Sequence, residues 1–176
     1  MRILSAAFAS ALVLTACSTT ESISTLQTRA AQGDPEAGVQ LGHRYFSGEG
    51  VPRNYAEGIR LWTKAAERGN AEAQWLLGGC YEIGYDEPKN PAKAASWWRK
   101  AAAQGYAKAQ FDLGNCYHYG RGVPKNISTA YAWYSLAADG GSTQGRTHRD
   151  TLAAGMSPAA LAAAKAEASR LAGRLR

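Results

Sequence analysis

One spacing governs this chain of 176 residues. Gly42, Gly78 and Gly114 stand 36 residues apart, and so do Leu41, Leu77 and Leu113; Tyr45, Tyr81 and Tyr117; Pro52, Pro88 and Pro124; and Asn54, Asn90 and Asn126. Trp62 recurs as Trp98 and then as Tyr134, while Gly33, Gly69, Gly105 and Gly141 carry the register into a fourth copy. A period of roughly 20–50 residues marks stacked supersecondary units, none of which can bury its apolar face alone. Such a stack presents an extended surface rather than one deep cleft.

The copy at 69–105 reads as two helices. Ala73, Leu77, Gly78 and Tyr81 fall on one face of the first. A helix-interior glycine costs about 1 kcal/mol relative to alanine, so its return at one position predicts a backbone-to-backbone contact with no room for a side chain. The loop Gly48-Glu49-Gly50-Val51-Pro52-Arg53-Asn54 returns as Gly120-Arg121-Gly122-Val123-Pro124-Lys125-Asn126. Its glycines suit positive-φ turns, and its asparagine is placed to cap the next helix. The middle copy, Gly84-Tyr85-Asp86-Glu87-Pro88-Lys89-Asn90, has lost the second glycine and the valine. The second helix turns Ala94, Trp98, Ala101 and Ala102 inward and stops at Gln104-Gly105. Large aromatics opposite small residues let close helices fill space without voids. Abundant alanine with few β-branched residues favours helix over sheet, so the fold class is all-α.

The pattern Ala73-x-x-x-Leu77-Gly78-x-x-Tyr81-x-x-Gly84, then proline and asparagine, then Trp98-x-x-Ala101-Ala102-x-x-Gly105, resembles the Sel1-like repeat, a branch of the tetratricopeptide superfamily. The resemblance covers about residues 30–141 and implies a right-handed α-solenoid of antiparallel helix pairs with a 36-residue period. Residues 26–141 then form the solenoid, a half-repeat cap plus three repeats, with the capping half-repeat drawn from 21–32. Residues 142–176 form a C-terminal helical cap, in which Arg149 and Asp150 stand where the repeat has leucine and glycine. Ser157-Pro158 opens a last helix with Leu161, Ala164, Ala168, Leu171 and Leu175 on one stripe.

The N-terminus follows different rules. Arg2 precedes an apolar run, Ile3 to Leu14, too short to span a bilayer and suited to a signal peptide. Leu14-Thr15-Ala16-Cys17 resembles the bacterial lipobox, which implies removal of residues 1–16 and lipid on Cys17. Residues 17–25 then read as a polar tether. By resemblance to enterobacterial lipoproteins, Ser18 lacks the aspartate that favours inner-membrane retention. The expected location is therefore the periplasmic side of the envelope, anchored in the outer rather than the inner membrane. The formal net charge is +6, and the excess gathers late, at Arg146, Arg149, Lys165, Arg170, Arg174 and Arg176. That tail suits either anionic lipid or a polyanion, or is the solvated face of a terminal helix. Nucleic acid is not an expected partner in this compartment.

Residues with catalytic potential are few. His43, His118 and His148 sit in no metal-binding spacing, and no serine lies in a nucleophile elbow. Neither a catalytic residue, a metal nor a cofactor is expected. Cys80 and Cys116 occupy equivalent positions on successive first helices. Packed helix axes lie about 8–10 Å apart, whereas a disulfide needs Cα atoms within about 4.4–6.8 Å. Both thiols are expected to be reduced and buried.

A partner surface follows from the stripe on each first helix opposite its inner face. It holds Glu36, Gln40, His43 and Ser47; Glu72, Leu76, Gly79 and Ile83; and Lys108, Asp112, Asn115 and Tyr119. These positions change type in every copy. The resemblance implies that first helices line a concave groove for a peptide or another protein, and Leu76, Ile83 and Tyr119 are apolar where water would otherwise lie. The expected function is a monomeric, membrane-anchored periplasmic scaffold or adaptor. The alternatives are an envelope enzyme of the β-lactam-binding or hydrolysing type, for which no Ser-x-x-Lys is present, and a small periplasmic inhibitor or immunity protein.

Overall fold

A computed structural model describes residues 21–85 and 87–175. Among these there are nine α-helices and no strand: α1 (Ile23–Ala31), α2 (Pro35–Ser47), α3 (Tyr55–Glu67), α4 (Ala71–Ile83), α5 (Pro91–Ala103), α6 (Ala107–Tyr119), α7 (Ile127–Asp139), α8 (Thr143–Ala154) and α9 (Pro158–Arg174). Pairs α2/α3, α4/α5 and α6/α7 are the three repeats, and α1 to α8 pack mainly on their sequence neighbours. The chain is an α-solenoid of helix pairs, closed by α1 at one end and by α8 and α9 at the other.

Local chemistry sets the helix ends. Asn54, Asn90 and Asn126 each accept a hydrogen bond from the backbone N–H three residues on, at 3.1, 3.0 and 3.0 Å, which satisfies an orphan donor of the first turn. The preceding helices end on Gly48, Gly84 and Gly120 at φ of 82°, 89° and 73°, a left-handed conformation costly for other residues. The asparagine N–H then closes each loop onto the carbonyl of Tyr45, Tyr81 or Tyr117 at 2.8–2.9 Å.

The N-terminal boundary differs from expectation. Ser22 caps α1 by accepting from the Thr25 N–H at 3.1 Å, so residues 23–25, expected in the polar tether, are helical. The cause lies one residue further on: Leu26 is 1% exposed and packs with Ala37, Leu41 and Leu61, which ties the turn before it to the core. Arg29 reinforces the junction through Asp34 and Glu21. The expected signal peptide and Cys17 lie outside the described residues.

The recurring glycine meets an aromatic ring in every repeat, and the backbone approach that was expected only in the first. A Cβ on Gly78 would collide with the Trp98 indole, whose Cε2 is 2.8 Å away and whose Nε1 and Cδ1 are closer still. Gly42 stands likewise to Trp62, and Gly114 to Tyr134 Cδ1 at 2.6 Å. At Gly78 and Gly114 the missing side chain admits an aromatic ring rather than a second backbone, whereas at Gly42 the Gly58 carbonyl also comes within 3.1 Å, the backbone approach that was expected. The indoles of Trp62 and Trp98 then donate to the carbonyls of Val39 and Trp75 at 3.2 and 3.1 Å, which satisfies their buried N–H groups.

At the C-terminal end α9 packs on α7, whose Ala130–Tyr134 stretch is buried throughout. Leu171 and Leu175 lie against the cluster that contains Trp98, Leu113 and Trp133. Ser157 caps α9 with Pro158 in its first turn.

Candidate partner-binding surface

The first helices α2, α4, α6 and α8 share one face, and side chains bridge from each to the next. His43 Nε2 on α2 lies 3.4 Å from Glu72 on α4, and Glu36 accepts from Asn70 Nδ2 at 3.4 Å. Trp75 on α4 donates through Nε1 to Asp112 on α6 at 2.7 Å, while the Lys108 ammonium sits 4.8 Å from a Trp75 ring centre. His148 on α8 packs edge-on to Phe111 on α6 at 5.0 Å.

The expected residues divide into three kinds. Glu36, His43, Lys108, Ile83 and Tyr119 are exposed, and Ile83 and Tyr119 are so at 64% and 57%. Gln40 and Glu72 are partly covered. Leu76 leans inward against the cluster of Val39, Trp62 and Leu77; it is half-buried, not an apolar group facing water. Asp112 and Asn115 face the same way but are held in a network. Tyr134 donates its hydroxyl to Asn115 Oδ1 at 2.7 Å, and His118 Nδ1 lies 3.3 Å from the Tyr134 hydroxyl oxygen.

That network follows from the one change of aromatic in the series. In the first two repeats tryptophan reaches a backbone carbonyl; in the third, tyrosine stands in its place and its hydroxyl reaches the side chains of Asn115 and His118. Burial lifts the Tyr134 phenol well above its ordinary range. Burial also lifts Asp112 above the usual carboxylate range, against the Trp75 hydrogen bond, the charge of Arg121 and the Asn115 hydrogen bond. His118 is held low by burial and by the charges of Lys125 and His148. Glu82 adds a second partly covered carboxylate, 3.4 Å from Arg121 and 3.6 Å from Lys89, with its Oε2 buried and unbonded.

Trp75, Glu82, Phe111, His118, Arg121, Tyr134 and His148 were not among the residues expected here. Trp75 and Phe111 follow Val39 at the 36-residue spacing, a run of bulky apolar residues that differ in type and so escape a search for identical ones. Cys80 and Cys116 are both buried. No group of three or more potential metal ligands occurs among the described residues.

This surface has relatives. The Sel1 repeat matches at residues 35–70, 71–106 and 107–142. A Sel1 repeat protein from Oxalobacter formigenes is similar at 35% identity and a TM-score of 0.70, over 73% of this chain and 97% of that one. A protective antigen of uropathogenic Escherichia coli strains with an SLR fold is 26% identical with a TM-score of 0.58; the match takes in 87% of this chain but 41% of the antigen. Cysteine-rich protein B of Helicobacter pylori, at 22% identity and a TM-score of 0.58 over 73% of this chain and 97% of its own, shares the fold. No functionally curated protein matches the chain. Sel1 repeat proteins generally act as protein-interaction scaffolds. With the repeat matched over most of the chain and the glycine–aromatic contacts built three times, the chain belongs to the Sel1 repeat family.

Proposed function

We propose that this protein is a non-enzymatic scaffold of the bacterial envelope that holds a protein or peptide on its first-helix face. One observation carries the reading. Along three successive helices the stripe is polar and variable, and it ends on two exposed apolar side chains, Ile83 and Tyr119. Exposed large apolar groups beside polar ones are the usual composition of a protein-binding patch. Tyr119 is further stiffened by stacking on His118 at 4.4 Å, which lowers the entropy lost when a partner orders it.

The anchor is the second part of the proposal. The Leu14-Thr15-Ala16-Cys17 run supports lipid on Cys17 and a place on the periplasmic side of the envelope, in the outer membrane. No helix among the described residues is long and apolar enough to cross a membrane. The scaffold acts as a monomer, and neither nucleic acid nor a cofactor enters the reading.

Photo-crosslinking in cells from position 79, on the same stripe and with open space around its would-be side chain, tests the surface. A discrete protein adduct is expected, and its loss on changing Lys108, Ile83 and Tyr119 together to alanine. All three are exposed, so the fold survives the change. Undiminished capture by the triple variant would place the partner elsewhere. Changing Cys17 to serine should move the protein out of the membrane fraction. Turnover of a chromogenic β-lactam by purified protein would overturn the non-enzymatic reading.

A further inference from the structure

A hollow of about 320 Å³ opens between α3 and α4 beneath the α4–α5 loop, lined in part by Ile59, Lys64, Leu77, Cys80, Tyr81 and Glu87. We propose that it is a second binding site, which takes an aliphatic side chain of a partner protein segment carrying a carboxylate beside that side chain.

The chain's own repeats define the occupant. In the third repeat Val123 packs against the cluster of Ala95, Leu113 and Cys116, with Tyr117 alongside. Those residues lie 36 positions after Ile59, Leu77, Cys80 and Tyr81, and 36 positions before Val123 stands Glu87. The hollow is thus the place that a valine fills from within one repeat later. Glu87 does not fill it: its side chain is half-exposed and accepts from Lys93 Nζ at 2.7 Å. Nor does Ile59, larger than Ala95, replace the missing valine. The first repeat has Ile23 at the equivalent position and keeps Val51 as well.

Charge fixes the second half of the ligand. Two cations line the rim, and Arg60 is engaged by Glu57 at 2.5 Å. Lys64 is exposed and makes no ion pair among the described residues, so a carboxylate placed beside the aliphatic group meets an available ammonium. The site is separate from the first-helix face. On α4 the residues Leu77, Cys80 and Tyr81 are rotated by roughly 100° from the stripe of Glu72, Leu76 and Ile83.

The test titrates isotope-labelled full chain with acetyl-Gly-Glu-Gly-Val-Pro-Glu-Asn-amide, which is the first loop with an acidic residue in place of Arg53, followed by magnetic resonance. Saturable shifts are expected at Ile59, Leu77 and Cys80. Replacing the peptide's valine with serine should weaken binding at least about fivefold, as should Lys64→Glu. Glu87→Val, which closes the hollow from within, should abolish the shifts. Lys64→Glu is an exposed change and decides the matter if Glu87→Val disturbs the fold. Shifts that are absent, lie outside the hollow, or persist equally with the serine peptide or with both variants would overturn the assignment.

Discussion

Gly78 and the indole of Trp98 form a single packing unit: the ring occupies the volume that any side chain at 78 would need, and its Nε1 donates to the Trp75 carbonyl at 3.1 Å. The neighbouring Gly79 has nothing within 4 Å of its would-be Cβ. Two adjacent glycines on one helix therefore answer to opposite forces. Gly78→Ala should destabilise the protein by about 1–3 kcal/mol through overpacking, whereas Gly79→Ala should stabilise it by roughly 0.5–1 kcal/mol through helix propensity. Urea denaturation of the pair of variants checks this, and equal effects would refute the packing account.

Asp112 should make stability depend on pH in the direction opposite to a salt-bridged carboxylate. Its folded pKa is raised by burial from the ordinary 3.8, so the native state binds the proton more tightly than the unfolded chain does. The resulting stabilisation is present below the unfolded value and is lost as pH rises through the folded one. Asp112→Asn, whose carbonyl still accepts from Trp75, removes the dependence. Melting temperatures of both proteins at pH 4 and pH 7 should show the native protein losing ground to the variant as pH rises. Parallel curves would show that Asp112 is not held in this way.

Cys116 should be inert in the folded state. It is 1% exposed, and burial pushes its thiol up to about 12. At pH 8 the thiolate fraction is then roughly one in ten thousand, and the thiolate is the reactive species. Iodoacetamide should leave Cys116 unmodified in buffer and alkylate it in denaturant, read by peptide mass mapping. Native-state alkylation would contradict the burial described here.

Gln74 and Gln110 hold equivalent buried positions but differ in satisfaction. Each donates to the carbonyl of the preceding helix, Ala66 or Ala102. Gln74 Oε1 also accepts from Gln104 at 2.8 Å, whereas Gln110 Oε1 is buried and unbonded because Gly140 stands where the partner amide would be. Gln104→Ala should therefore cost about 1 kcal/mol by leaving a second buried oxygen unmet. Calorimetry on the purified variant measures it, and an unchanged melting temperature would mean that water serves as well as the amide.

The period and the caps were legible because they depend on residue type at fixed intervals: Asn54, Asn90 and Asn126 cap as their spacing implies. What Gly78 touches was not legible, since recurrence shows that a position is constrained without showing which atom constrains it. The surface was read in part. Tyr119 and Ile83 stand exposed as its stripe requires, but the stripe also counted Leu76, whose tilt toward Val39 and Trp62 depends on how adjacent pairs nest. Contacts such as Trp75 to Asp112 cross from one rung to the next at a separation of 37 residues, one more than the period, and no single helix wheel contains them. The loss of valine at Glu87 was visible as a broken motif; that it leaves an open volume required the third repeat as a filled template.

The glycine–aromatic unit also works as a ruler. The sequence positions that would build its fourth graduation hold Asp150 and Arg170, both largely exposed and engaged locally with Arg149 and Glu167. Neither can form the tight ring contact, and α9 folds back over α7 instead of starting another rung. The length of the repeat array is thus written at two residues that stand outside the repeats themselves.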